Sequence, residues 1–121
     1  MVVIGIAVAG ALGALARYGL DELIGRRTGA FPWGILVVNI TGAFLIGVMV
    51  EALEPRFEDS WVRLAVVTGF LGAYTTFSTF SLDTYRLLEE GHAGQALFNA
   101  FGSLLLGLLA VWLGLKVGQA V

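Results

Sequence analysis

The sequence predicts an all-α membrane protein of four transmembrane helices, the third broken mid-span. Three observations carry this. First, 58% of the 121 residues are hydrophobic and only 13% are charged, about half the charge of an average soluble domain. Mean hydropathy is +0.88, and a globule of this size has too little interior to hide that much apolar surface. Second, four stretches (1–16, 28–50, 64–82 and 93–115) contain no charged residue; a hydrocarbon core about 30 Å thick needs roughly 20 helical residues. Third, the third stretch carries two glycines and then five hydroxyl residues, a poor continuous helix.

The elements follow in order. Helix 1 is expected over roughly 2–20: its uncharged run is short, and a snorkelling Arg17 lengthens it. No basic residue precedes its apolar run, and Gly5, Ala9, Gly10, Gly13 and Ala14 build a close-packing face. It therefore reads as a retained helix rather than a cleaved signal. Helix 2 spans roughly 32–51 and starts at Pro32, whose missing N–H costs nothing in a first turn. A polar connector, 51–59 with Pro55, leads to Ser60 as the N-cap of helix 3, roughly 61–83. Gly91 is its expected stop, and helix 4 covers roughly 94–117. Trp33, Trp61, Trp112, Tyr18 and Tyr85 fall near span ends, as interfacial aromatics do. No loop exceeds about a dozen residues, so residues 1–121 form a single membrane domain.

Composition excludes several functions. The chain has no Cys and a single His, His92, which removes disulfide scaffolds, zinc fingers, iron–sulfur clusters and thiol catalysis. A net charge of −2 provides no basic face for nucleic acid. With four spans, one side holds Arg56, Arg63 and Lys116, and the other Arg17, Arg26, Arg27 and Arg86. Orientation follows Lys/Arg asymmetry, and three against four is almost none. Two readings stay open: one weakly signalled topology, or insertion both ways with antiparallel pairing. Four short helices enclose little space of their own. The small-residue seams Ala9/Gly13, Ala43/Gly47, Ser103/Gly107 and Gly114/Gly118 offer helix packing, which makes a homodimer the economical assembly.

Polar residues inside a span are functional candidates by default. A break near Gly72 to Thr76 would free carbonyls of the upstream half for a cation and aim amides of the downstream half at an anion. Phe77 and Phe80, three apart, share a face once helical winding resumes. Ring edges carry positive charge, yet periodicity alone supports only packing for this pair. Asn39 either bonds to a neighbouring helix or lines a polar pathway as an amide donor. Thr41 and Thr68 bond their own backbone. Asn99 and Ser103, four apart, share one face of helix 4, and with the helix 3 hydroxyls they would form a polar track. Arg17 snorkels or draws anions to a vestibule. Asp21, Glu22, Glu51, Glu54, Asp83 and Glu89 flank the spans, leaving no carboxylate inside one.

These segments resemble the Fluc/CrcB fluoride channels over nearly the whole chain. The matching segments are Gly10-Ala11-Leu12-Gly13-Ala14-Leu15-Ala16-Arg17-Tyr18, then Val38-Asn39-Ile40-Thr41-Gly42-Ala43-Phe44 with Gly47, and Gly69-Phe70-Leu71-Gly72-Ala73-Tyr74-Thr75-Thr76-Phe77-Ser78-Thr79-Phe80-Ser81. The resemblance implies a dual-topology antiparallel homodimer in the cell membrane, exporting fluoride passively through two pores. It implies that Phe77 and Phe80 line the pores, that Asn39 serves the pathway, and that Thr79 and Ser103 belong to the polar track. Arg17 matches the family's helix 1 arginine. Backbone carbonyls of Gly72 and Thr75 match the ligands of a central structural sodium ion at the dimer interface. Ala73 and Tyr74 depart from the smaller or apolar pair expected in relatives, and Asn99 replaces another polar or aromatic group.

Two rivals explain less. A small multidrug or cation exporter shares the size and four spans but needs a membrane-embedded carboxylate for proton exchange. A non-transporting membrane assembly protein needs only the packing faces and leaves the Thr/Ser/Phe cluster without a purpose.

Overall fold

The computed structural model describes residues 1–25, 29–53, 55–56 and 60–121. Arg26, Arg27, Thr28, Glu54 and Asp59, used above for the charge count, the start of the second uncharged stretch and the connector, lie outside the described residues.

Among the described residues, five helical runs follow one another. Helix α1 is Val2–Gly25 and α2 is Trp33–Leu53. Helix α3, residues 61–74, joins Trp61–Leu64, a π-wound turn Ala65–Leu71 and Gly72–Tyr74. Helix α4 is Phe77–Glu89. Helix α5 runs Ala93–Ala120 and contains a second π-wound stretch, Phe98–Gly102. Among the described residues, three helices are long and apolar enough to cross a membrane: Val2–Ile24, Trp33–Leu53 and Ala93–Ala120. The chain is a multi-pass membrane protein.

The helix boundaries have local causes. Ser60 accepts a hydrogen bond from the Val62 N–H at 3.0 Å, an N-cap. Pro32 stands just before α2 and its carbonyl accepts from the Leu36 N–H at 3.1 Å. At the end of α4, the His92 N–H reaches the Leu87 carbonyl at 2.8 Å and the Gly91 N–H reaches Leu88 at 3.2 Å. Gly91 takes φ +81° there, the left-handed conformation that a Schellman cap requires. Helix α1 runs past the expected residue 20 because Leu20, Asp21, Glu22, Leu23 and Ile24 contain no breaker. Asp21 and Glu22 thus lie on its last turns rather than beyond its end.

Packing is by close backbone approach more than by large side chains. Helix α2 lies along α5, and α1 lies along α3. A Cβ on Gly114 would collide with the Phe44 carbonyl, and one on Gly118 would stand 2.7 Å from the Val48 oxygen. A Cβ on Gly13 would strike the Phe70 carbonyl, next to the contact of Gly69 with Ile6 and Ala9. The seams through Ala9/Gly13, Gly47 and Gly114/Gly118 are therefore spent inside the subunit. Gly107, by contrast, has open space where its Cβ would be. A small apolar core of Phe31, Leu36, Leu87 and Ala96 closes one end. Large side chains such as Leu15, Leu105 and Phe101 face outward, which suits a lipid surface.

Candidate functional site

The chain leaves helical winding between α3 and α4. Thr75 has φ −84°, ψ 155° and Thr76 has φ −148°, ψ 119°, both extended, before Phe77 opens α4. The sequence explains this locally. The Thr76 hydroxyl oxygen accepts from the Thr79 N–H at 3.2 Å and so caps α4, a use of a Ser/Thr side chain that competes with continued helix. The Thr75 hydroxyl turns back to donate to the Leu71 carbonyl at 3.0 Å.

Asn39 clasps the extended pair. Its Oδ1 accepts from the Thr76 N–H at 2.9 Å, and its Nδ2 donates to the Thr76 carbonyl at 3.2 Å. One side-chain amide thus satisfies both backbone groups of a buried residue that no longer belongs to a helix. One turn on, Gly42 clears the way: a Cβ there would strike Thr75 Cγ2. Tyr74 is buried, stacks on Phe70 at 5.8 Å between ring centroids, and meets the Thr41 hydroxyl at 2.8 Å. Thr41 also donates to Val37 and Val38 carbonyls, so the Tyr74 hydroxyl donates to Thr41.

The break leaves carbonyls without their helical donors. In an unbroken helix the Gly72 carbonyl would accept from the Thr76 N–H, and the Thr75 carbonyl from the Thr79 N–H. Asn39 holds the first donor and the Thr76 hydroxyl the second. Both carbonyls are therefore available to a hard cation, which prefers oxygen ligands. Two oxygens fall short of a full shell.

Beside the break opens a cavity of about 580 Å³. Asn39, Gly72, Thr75, Phe77, Phe80 and Ser103 all line it, with Thr76 and Ala100. The Phe77 and Phe80 ring centroids are 6.0 Å apart with planes at 41°. Phe77 is 80% exposed, whereas Phe80 is half-buried. Two of the expected residues stand apart from this lining: Thr79, whose hydroxyl lies 3.3 Å from that of Thr76, and Arg17, on α1. Thr84 had not been singled out. It receives a hydrogen bond from the buried Asn99 at 2.9 Å, a pairing that its own place in the sequence does not signal.

The chain matches the family model described as CrcB-like protein, Camphor Resistance (CrcB), over residues 4–115. It is 49% identical to a protein of Acidobacterium capsulatum named fluoride-specific ion channel FluC, over 96% of this chain and 94% of that protein. Proteins of the same name from Geobacter sulfurreducens and Thermus thermophilus are 47% and 45% identical. They cover 97% and 96% of this chain and 96% and 94% of their own lengths. With the family model spanning all but nine residues and these relatives matching nearly end to end, the chain belongs to the CrcB-like family.

Proposed function

We propose that this protein is a fluoride-selective channel of the cell membrane, which lets fluoride leave passively through two pores in an antiparallel homodimer. The observation that carries the reading is the convergence of Asn39, Phe77, Phe80 and Ser103 on one uncharged cavity beside the interrupted helix. Residues 61–83 form the fourth membrane crossing in this reading, a third span broken mid-membrane at Thr75 and Thr76.

The physical demand is dehydration. Moving a small carboxylate-sized ion into a low-dielectric medium costs on the order of 20 kcal/mol, and fluoride is smaller still. A pathway offsets this with many neutral donors, each weak enough to release the ion. On the cavity wall they are the Ser103 hydroxyl, the second N–H of the Asn39 amide and the ring edges of Phe77 and Phe80. Arg17 draws anions toward the entrance.

The open side of the cavity supports a second subunit. Irregular backbone at membrane depth persists only where protein or a water-filled space covers it, and Gly72 and Phe77 are exposed in one subunit. A second copy covers them. Its Gly72 and Thr75 carbonyls complete, with this chain's pair, an oxygen shell for a structural sodium ion at the dimer interface. Such an ion would supply positive charge that ties the two interrupted helices together.

The test is efflux from liposomes holding purified protein. Fluoride release with little chloride release is the expected result; equal release of both ions would refute it.

A further inference from the structure

Asn99 is 1% exposed, the most deeply buried polar side chain among those described. It lies in the π-wound stretch Phe98–Gly102 of α5, and such insertions turn side chains off the register of a regular helix. Its Nδ2 donates to the Thr84 hydroxyl oxygen at 2.9 Å, and Thr84 donates its own proton to the Phe80 carbonyl at 2.8 Å. Because the single Thr84 proton is committed to Phe80, its oxygen can only accept from Asn99. That fixes which end of the amide faces α4 and leaves Oδ1 for Ser103, whose hydroxyl donates to it at 3.4 Å. This last bond is long for O–H···O, so it is weak. The four groups form one directed chain, from Ser103 on the cavity wall through Asn99 and Thr84 to the backbone of Phe80 on the same wall.

We propose that Asn99 is a positioning residue for anion passage. Through Thr84 it holds the helix that carries Phe80 against α5. Through Oδ1 it takes the Ser103 proton when no ion is near, loosely enough that the hydroxyl turns to donate to an ion entering the cavity. The amide serves both ends, because it carries a donor and an acceptor on one planar group. The inference rests on the cavity being the fluoride pathway.

The test measures fluoride release from liposomes at low protein density. It separates the fraction of vesicles that release fluoride from the rate in those that do. A folding defect lowers the fraction, whereas a positioning defect lowers the rate. Asn99→Ala and Thr84→Val should each slow the rate about three- to twentyfold at an unchanged fraction, the range expected for losing one interhelical hydrogen bond. Thr84→Ser, which keeps the hydroxyl, should restore a rate near that of the natural protein. The double variant should be no slower than the slower single one, since both remove the same bond. A natural rate in the Ala and Val variants, a loss of fraction alone, or multiplied slowing in the double variant would overturn the proposal. Absence of fluoride release from the natural protein is a separate result, and it would remove the channel reading and this inference with it.

Discussion

Replacing Asn39 by Ala deletes both partners of the Thr76 peptide groups at once. Thr76 is 9% exposed, and its N–H and carbonyl are bonded to the Asn39 amide at 2.9 and 3.2 Å. An interhelical hydrogen bond in a membrane protein contributes about 0.6 kcal/mol on average and about 1.7 at most. A buried group left without a partner costs about 1–3 kcal/mol. Water in the adjoining cavity can rehydrate part of the loss, so about 2–4 kcal/mol is the expected destabilisation for the two groups together. Asn39→Leu separates the bonds from the volume, because it keeps the bulk and should cost as much. Asn39→Asp keeps an acceptor for the Thr76 N–H but sets an oxygen against the Thr76 carbonyl, and it should be at least as damaging as Ala. The assay is chemical unfolding of the purified protein in detergent, run beside fluoride efflux. If Ala and Leu both unfold within about 0.5 kcal/mol of the natural protein, the clasp contributes nothing beyond ordinary surface scatter and the reasoning fails.

Further outcomes follow from the same geometry. Phe80→Ile should slow fluoride efflux while the protein still purifies intact; unchanged flux would remove the ring from the pathway. Gly114→Val forces a side chain into the Phe44 carbonyl and should cost about 2 kcal/mol or more, the usual range for overpacking, seen as a lower unfolding midpoint. Gly91→Ala places a Cβ at φ +81° and should cost about 1–2 kcal/mol in the same measurement, with no change in ion selectivity. Exchanging all sodium for a bulky organic cation during purification should weaken the dimer on dilution, read as a larger monomer fraction in cross-linking. An unchanged monomer fraction would argue against a sodium ion holding the two copies together.

Much of the fold was legible because lipid imposes crude rules. Charge-free runs of the right length marked α1, α2 and α5, and Ser60 and Gly91 announced their caps through side-chain and backbone chemistry that acts locally. The helix ends past residues 20 and 117 were less legible. Charged residues leave the membrane without leaving the helix, so charge marks the span rather than the winding. In the site, the Gly72–Thr76 stretch and the residues around the cavity could be named from hydroxyl density and from the family motif. The use each residue makes of its atoms could not. Asn39 had to be known to face Thr76, 37 residues away, before its amide could be read as a clasp. Thr84 carried no signal alone, since its role exists only once Asn99 of another helix points at it. The π-wound turns are equally invisible to periodicity, because one extra residue in a turn leaves composition unchanged.

Among the described residues that line the cavity, none is charged, and this bears directly on how an anion would cross it. A cation about 4 Å from the ion, at an effective dielectric constant near 20, would hold it by about 4 kcal/mol. That lengthens each stay roughly a thousandfold. Hydroxyl, amide and ring-edge donors avoid such a trap, but only if they are held in place by something other than the ion. The hydrogen bonds around the break do this. On the cavity wall the Asn39 amide is fixed by the Thr76 backbone, and the Ser103 hydroxyl rests loosely on Asn99, itself fixed by Thr84, while Thr75 has spent its one proton on the Leu71 carbonyl. Asn39 thereby keeps its second N–H for the cavity, and Ser103 keeps a proton that it can turn away from Asn99. The scarcity of charge in the sequence and the density of side-chain-to-backbone bonds in the structure are therefore two halves of one arrangement. In the channel reading, weak donors would release an ion quickly because the protein, and not the passing ion, bears the cost of ordering them.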